Sequence, residues 1–93
     1  MAVGMEQLMP FVPPGKIRCY ITGRLRRDTP EENVRQRWAR SLVEEYKYNK
    51  SDTALGFPIR MGVATKQADI VVFREGTPRK QENIFLIVEA TRA

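Results

Sequence analysis

The chain has 93 residues, room for one small domain with a thin core and too few for two. Its 16 lysines and arginines outweigh 11 acids, and a net charge of +5 suits contact with a polyanion such as nucleic acid. There is no histidine and a single cysteine, Cys19, which excludes imidazole base chemistry, a histidine or multi-thiolate zinc site and an internal disulfide.

A reducing, cytoplasmic setting is the default for such cysteine usage. No run of about 18 apolar residues suggests a membrane span. Met1 to Val12 lacks the basic start and unbroken apolar segment of a secretory signal. Met9 to Gly15 carries three prolines and a glycine, so residues 1–15 read as an extended arm leading into a domain over 16–93. From Lys16 to Arg27 an alternation of Ile17, Cys19 and Ile21 meets Gly23 and four arginines, Arg18, Arg24, Arg26 and Arg27. A short edge strand or hairpin is expected there.

A helix follows. Thr29 is a capping residue, Pro30 suits the first helical position, and Glu31 favours the positive N-terminal end. Glu32 completes a Thr-x-x-Glu capping box. Val34, Trp38, Leu42 and Tyr46 recur every four residues, with Ala39 and Val43 beside them, predicting an apolar stripe from Pro30 to Tyr48 with Trp38 in the core. Leu55, Phe57, Ile59 and Met61 alternate as a strand covered on one face, and Pro58 marks it as short, bulged or at an edge. Gly62 to Gln67 reads as a turn, Ala68 to Phe73 as a buried strand, Arg74 to Asn83 as a polar loop, and Ile84 to Thr91 as a second buried strand. Such short connections predict an antiparallel meander.

Two carboxylates interrupt the apolar strands, Asp69 and Glu89. An acid in such a run needs a cation, a proton or a dedicated partner. Strand alternation puts Asp69 on the face of Val71 and Phe73, and Glu89 on the face of Phe85, Ile87 and Thr91. If the strands pair with Asp69 beside Glu89, both converge as a hard cation such as Mg²⁺ requires. Blander readings stand beside this one. Asp69 fits a strand-start salt bridge, Glu89 a strand emerging into solvent, Glu32 a helix cap, Cys19 a small packing residue, and the arginine cluster a solvated surface.

Ile21-Thr22-Gly23-Arg24, Asp28 through Gln36, Ala68 through Gly76, and Ile87-Val88-Glu89-Ala90 together resemble the N-terminal domain of type I restriction enzyme R subunits. That domain belongs to the restriction-endonuclease-like, or PD-(D/E)xK, nuclease superfamily. The resemblance spans Lys16 to Arg92. It implies a partial α/β core, one helix on a three-stranded antiparallel meander, with the family's further helix and strand missing from this chain. It also implies Mg²⁺-dependent cutting of DNA, with Asp69 and Glu89 as metal ligands and catalytic acids and Glu32 as a third, helix-borne ligand. Thr91 stands where the motif places a lysine, and threonine supplies no ammonium. Arg92 or Lys66, the latter in the expected turn, replaces that cation only through a bulge or shifted register.

The resulting expectation is a restriction-modification protein fragment with an incomplete phosphodiesterase site. The alternatives are a noncatalytic DNA-binding or protein-docking module, or a core fragment without independent function. DNA contact is expected at Arg18, Arg24, Arg26, Arg27 and Lys66. Other restriction-modification subunits and a second copy of the chain are the expected protein partners, and no membrane is.

Overall fold

The computed structural model describes residues 11–90, so Met1 to Pro10 of the arm, and Thr91 and Arg92 with their motif assignments, lie outside the described residues. The chain opens with a small antiparallel hairpin, β1 (Lys16–Arg18) and β2 (Leu25–Arg27), in which Ile17 pairs with Arg26. The loop between them is closed by Cys19 N–H to the Arg24 carbonyl at 2.7 Å and Gly23 N–H to the Cys19 carbonyl at 2.9 Å. Gly23 supplies the left-handed φ of 77° that this tight return needs.

Helix α1 runs Pro30–Glu44. Thr29 Oγ1 accepts from the Glu32 N–H at 3.1 Å, one arm of the expected capping box, but the Glu32 carboxylate turns elsewhere. The helix ends before the predicted Tyr48 because Lys47 adopts φ 66° and Tyr48 N–H returns to the Leu42 carbonyl at 3.0 Å. A left-handed residue closing a helix in this way is usually glycine, so no sequence signal marked it.

Strands β3 (Thr53–Met61), β4 (Ala64–Phe73) and β5 (Ile84–Val88) form the antiparallel sheet in the order β3-β4-β5. The expected meander is present, with Pro58 on an edge strand as its missing N–H requires. The turn is shorter than expected, since β4 begins at Ala64 and takes Lys66 into the ladder opposite Ile59.

Two apolar layers flank β4. On one side Ala39 and Leu42 of α1 meet Ile70 and Val72, with Ile21, Tyr48, Leu55, Leu86 and Val88 packed around them. On the other, Val71, Phe73 and Ala68 pack with Ala54, Phe57, Ile59 and Ile84, and the Phe57 and Phe73 rings meet edge to face at 5.0 Å. The 74–83 loop closes over this second layer. Arg79 lies 5.9 Å from the Phe73 ring centre, and Gln81 makes two hydrogen bonds with the Arg60 backbone, filling the open edge of β3.

Two sequence expectations fail in packing. Trp38 is 43% exposed, because the buried face of α1 passes through Glu32, Ala39 and Leu42 and leaves Trp38 on its flank. The third strand is not buried. It stops at Val88, and as an edge strand covered on one face it leaves Phe85 and Ile87 exposed.

Candidate functional site

Gly56 and Asp69 form a break in the β3–β4 ladder. Leu55 pairs with Ile70 and Phe57 with Ala68, while Gly56, at φ 66°, and Asp69 face each other without pairing. Regular alternation puts Leu55 and Phe57 on one face. Here Leu55 packs toward α1, whereas Phe57 and Ala68 join Val71 and Phe73 on the opposite layer. The strands therefore rotate at the glycine, and Phe57 and Ala68 leave the face that alternation assigned to them.

The Asp69 carboxylate turns toward the end of β5, where Oδ2 accepts the Ala90 N–H at 3.0 Å. The β4–β5 ladder pairs Val71 with Ile87 and Ile70 with Val88, and continued one step further it sets Asp69 opposite Glu89, just beyond β5. Glu89 is half exposed and meets Lys66 Nζ at 3.9 Å. Lys66 thus reaches Glu89 from within a strand with no bulge at its own position, contrary to the turn expected for it.

Among the described residues Glu32 is the one buried charge, 5% exposed. Arg35 and Gln36, one turn further along α1, both donate to its carboxylate, Gln36 at 2.8 Å. Arg26 of β2 brings Nε to 3.0 Å from Oε2, an ion-pair distance, although the N–H is not aimed at the oxygen and makes no hydrogen bond. Burial pushes the Glu32 carboxyl up, but the Gln36 hydrogen bond, the Arg35 hydrogen bond and the Arg35 and Arg26 charges outweigh it and hold it below the ordinary carboxylate value. Gln36 also accepts the Tyr20 N–H at 2.7 Å, so the same cluster ties the hairpin to the helix. Arg35 extends over Gly56, where an added Cβ would stand 3.8 Å from Nη1. The cluster therefore reaches the kink opposite Asp69.

The donor set does not fit the three-acid metal centre expected from the sequence. Both Glu32 oxygens are engaged by Arg35, Gln36 and Arg26, and among the described residues no three acidic, cysteine or histidine side chains gather at metal-binding range. Asp69 and Glu89 remain as a two-carboxylate pair of positions. The expected arginine patch is divided as well. Arg26 turns inward to Glu32, Arg18 donates to the Gly23 carbonyl at 2.7 Å, Arg24 and Arg27 face solvent, and Lys66 is on the other sheet.

Sequence reasoning gave Arg35, Gln36 and Gly56 no role. The available signals were the i+3 and i+4 spacing of Arg35 and Gln36 from Glu32, and a glycine inside an alternating strand.

The sequence profile of the family described as type I restriction enzyme R protein N terminus matches residues 30–93, more than half of the chain. The chain belongs to this family. In this restriction enzyme N-terminal domain the match takes in α1, the whole three-stranded sheet and the positions of Glu32, Asp69 and Glu89, while the hairpin arginines precede it. No curated protein and no solved structure gave a match. Among the described residues of the restriction enzyme domain, no helix is long and apolar enough to cross a membrane.

Proposed function

We propose that the chain is a restriction-endonuclease-like DNA-handling domain of a type I restriction R protein whose Mg²⁺-dependent phosphodiesterase site is incomplete. The observation that supports this is the β4–β5 register, which, continued one step past its last pair, brings Asp69 level with Glu89 just beyond β5, with the Lys66 ammonium at Glu89, in a chain of this family. When bound, a hard divalent cation supplies activation of water and neutralisation of charge on a phosphate. Asp69 and Glu89 are the residues that would hold it, and the Ala90 N–H fixes one Asp69 oxygen in place. Lys66 offers a cation at Glu89 in place of the motif lysine, but it is exposed and spans 3.9 Å to a half-exposed partner, so it is loosely held.

The test is cleavage of supercoiled DNA with Mg²⁺. Little or no cutting is expected from the chain itself, and Thr91→Lys is expected to raise it, with Asp69→Asn or Glu89→Gln abolishing the gain. Efficient cutting by the unaltered chain that survives Asp69→Asn would overturn the assignment.

A noncatalytic DNA-binding or docking module is the second reading. It is favoured by the pairing of Glu32 with arginines and of Glu89 with Lys66, which satisfies both acids without a metal. For the protein partner, the exposed Phe85 and Ile87 on edge strand β5 support association with a second copy of the chain.

A further inference from the structure

We propose that the seam between the β1–β2 hairpin, α1 and the Lys50–Asp52 turn is a track for the phosphate backbone of double-stranded DNA, centred on Tyr20. This names the surface that meets the DNA of the reading above and rests on that reading for the choice of polymer.

Two hollows lie along the seam. One, of about 240 Å³, is lined by Arg18, Arg37 and Arg40 with Tyr20 and the Asn33 and Gln36 amides. The other, of about 520 Å³, is lined by Arg26, Lys50 and Arg79 with Thr22 and Ser51. Among the described residues no carboxylate lines either hollow. Tyr20 joins them, with the Arg40 guanidinium 5.2 Å and the Lys50 ammonium 4.2 Å from its ring centre.

The nearby acids offset only part of this charge. Glu32 is taken by Arg35 and Arg26, whereas Glu44, which accepts the Tyr20 hydroxyl, and Asp52, which accepts from Asn49, keep their charge beside the seam. Arg79 donates to the Ser51 and Thr53 carbonyls, neutral partners that fix its position without cancelling its charge. Arg37, Arg40, Lys50 and Arg79 have no ion-pair partner among the described residues.

Cations and hydroxyls set in hollows are the chemistry that positions phosphates. Two hollows on either side of one ring suit successive phosphates of a polymer better than a single ion. The apolar residues lining them, Ile21, Ala54 and Leu55, are all partly buried, which leaves nothing to insert into a lipid surface.

The experiment is fluorescence anisotropy with a short labelled duplex across a salt series, without divalent metal, so that binding does not depend on Asp69 or Glu89. The seam variant Arg37→Gln/Arg40→Gln/Lys50→Gln is compared with Arg60→Gln/Arg74→Gln/Lys80→Gln, which removes the same charge elsewhere, with melting curves run on both. The seam variant is expected to bind at least about tenfold more weakly at 50 mM salt and to flatten the log–log salt slope by about 2 to 3. The control should stay within about threefold of the parent, the size of a bulk-charge effect. If the triple variant melts early, Lys50→Gln alone should flatten the slope by about 1.

Equal losses in both variants would overturn the proposal, as would no duplex binding by the parent. Seam-dependent capture of inorganic phosphate or of phosphatidylserine vesicles without duplex binding would overturn it too. Loss of cleavage with seam binding intact would count against the nuclease reading alone.

Discussion

Glu32 shows how one side chain changes meaning between chain and fold. Its Thr-x-x-Glu spacing encodes a helix cap, and the metal reading took its charge as a ligand, yet its carboxylate joins Arg35 and Gln36 of its own helix to Arg26 of the hairpin. A buried carboxylate with several donors is costly to disturb, because its removal strands two guanidiniums. Glu32→Gln is therefore expected to destabilise the chain by about 2 to 3 kcal/mol in urea unfolding. A change below about 0.5 kcal/mol would mean the cluster is a solvated surface pair. The sign with pH follows from the lowered carboxyl. Its stabilisation is present above the ordinary carboxylate value of 4.5 and is lost as pH falls through the lower folded value. Melting temperature should drop across that acid range, and the drop should shrink in Glu32→Gln.

At the scale of elements, α1 and the β3–β4 pair each depart from the pattern that revealed them. The stripe of Val34, Trp38, Leu42 and Tyr46 predicts the helix correctly but aims it about one residue off, since the polar Glu32–Gln36 cluster takes part of the buried face and leaves Trp38 outside. Leu42→Ala is expected to cost about 2 to 4 kcal/mol, because Leu42 is 3% exposed against Ile70 and Val72. Trp38→Ala should cost under about 1 kcal/mol. Reversed costs in denaturant titrations would restore the simple stripe. At Gly56 the left-handed φ, rather than space, is limiting, since an added Cβ meets only ordinary contacts at 3.7 and 3.8 Å. Gly56→Ala should cost about 1 to 2 kcal/mol for that conformation alone. A neutral substitution would show that the kink relaxes at little cost.

For the whole molecule, the sheet carries a helix on one layer and a loop on the other, with both edges in solvent. The Gln81 side chain blunts the β3 edge through the Arg60 backbone, while β5 presents Phe85 and Ile87. If a second copy adds at β5, light scattering should show mass rising with concentration, and Phe85→Lys should hold the chain monomeric. A monomer at every concentration would remove the homodimer from the reading.

By itself the sequence determined the family, the existence and order of the elements and the meander, because capping residues, period and loop length are local properties of the chain, while the structure chose the edge among the three readings Pro58 left open. It also brought Asp69 and Glu89 forward, since a carboxylate in an apolar strand stands out without any structure. Only the tertiary structure decided that β4 rotates at Asp69, that Glu32 belongs to arginines, that Lys66 meets Glu89, and that Arg37, Arg40, Lys50 and Arg79 line one seam. The strand rotation, the Lys66–Glu89 pair and the seam rest on contacts between segments far apart in the chain, the Glu32 cluster on how the hairpin folds back onto α1, and the turns on a glycine and a lysine whose positive φ follows from their neighbours in space rather than in sequence.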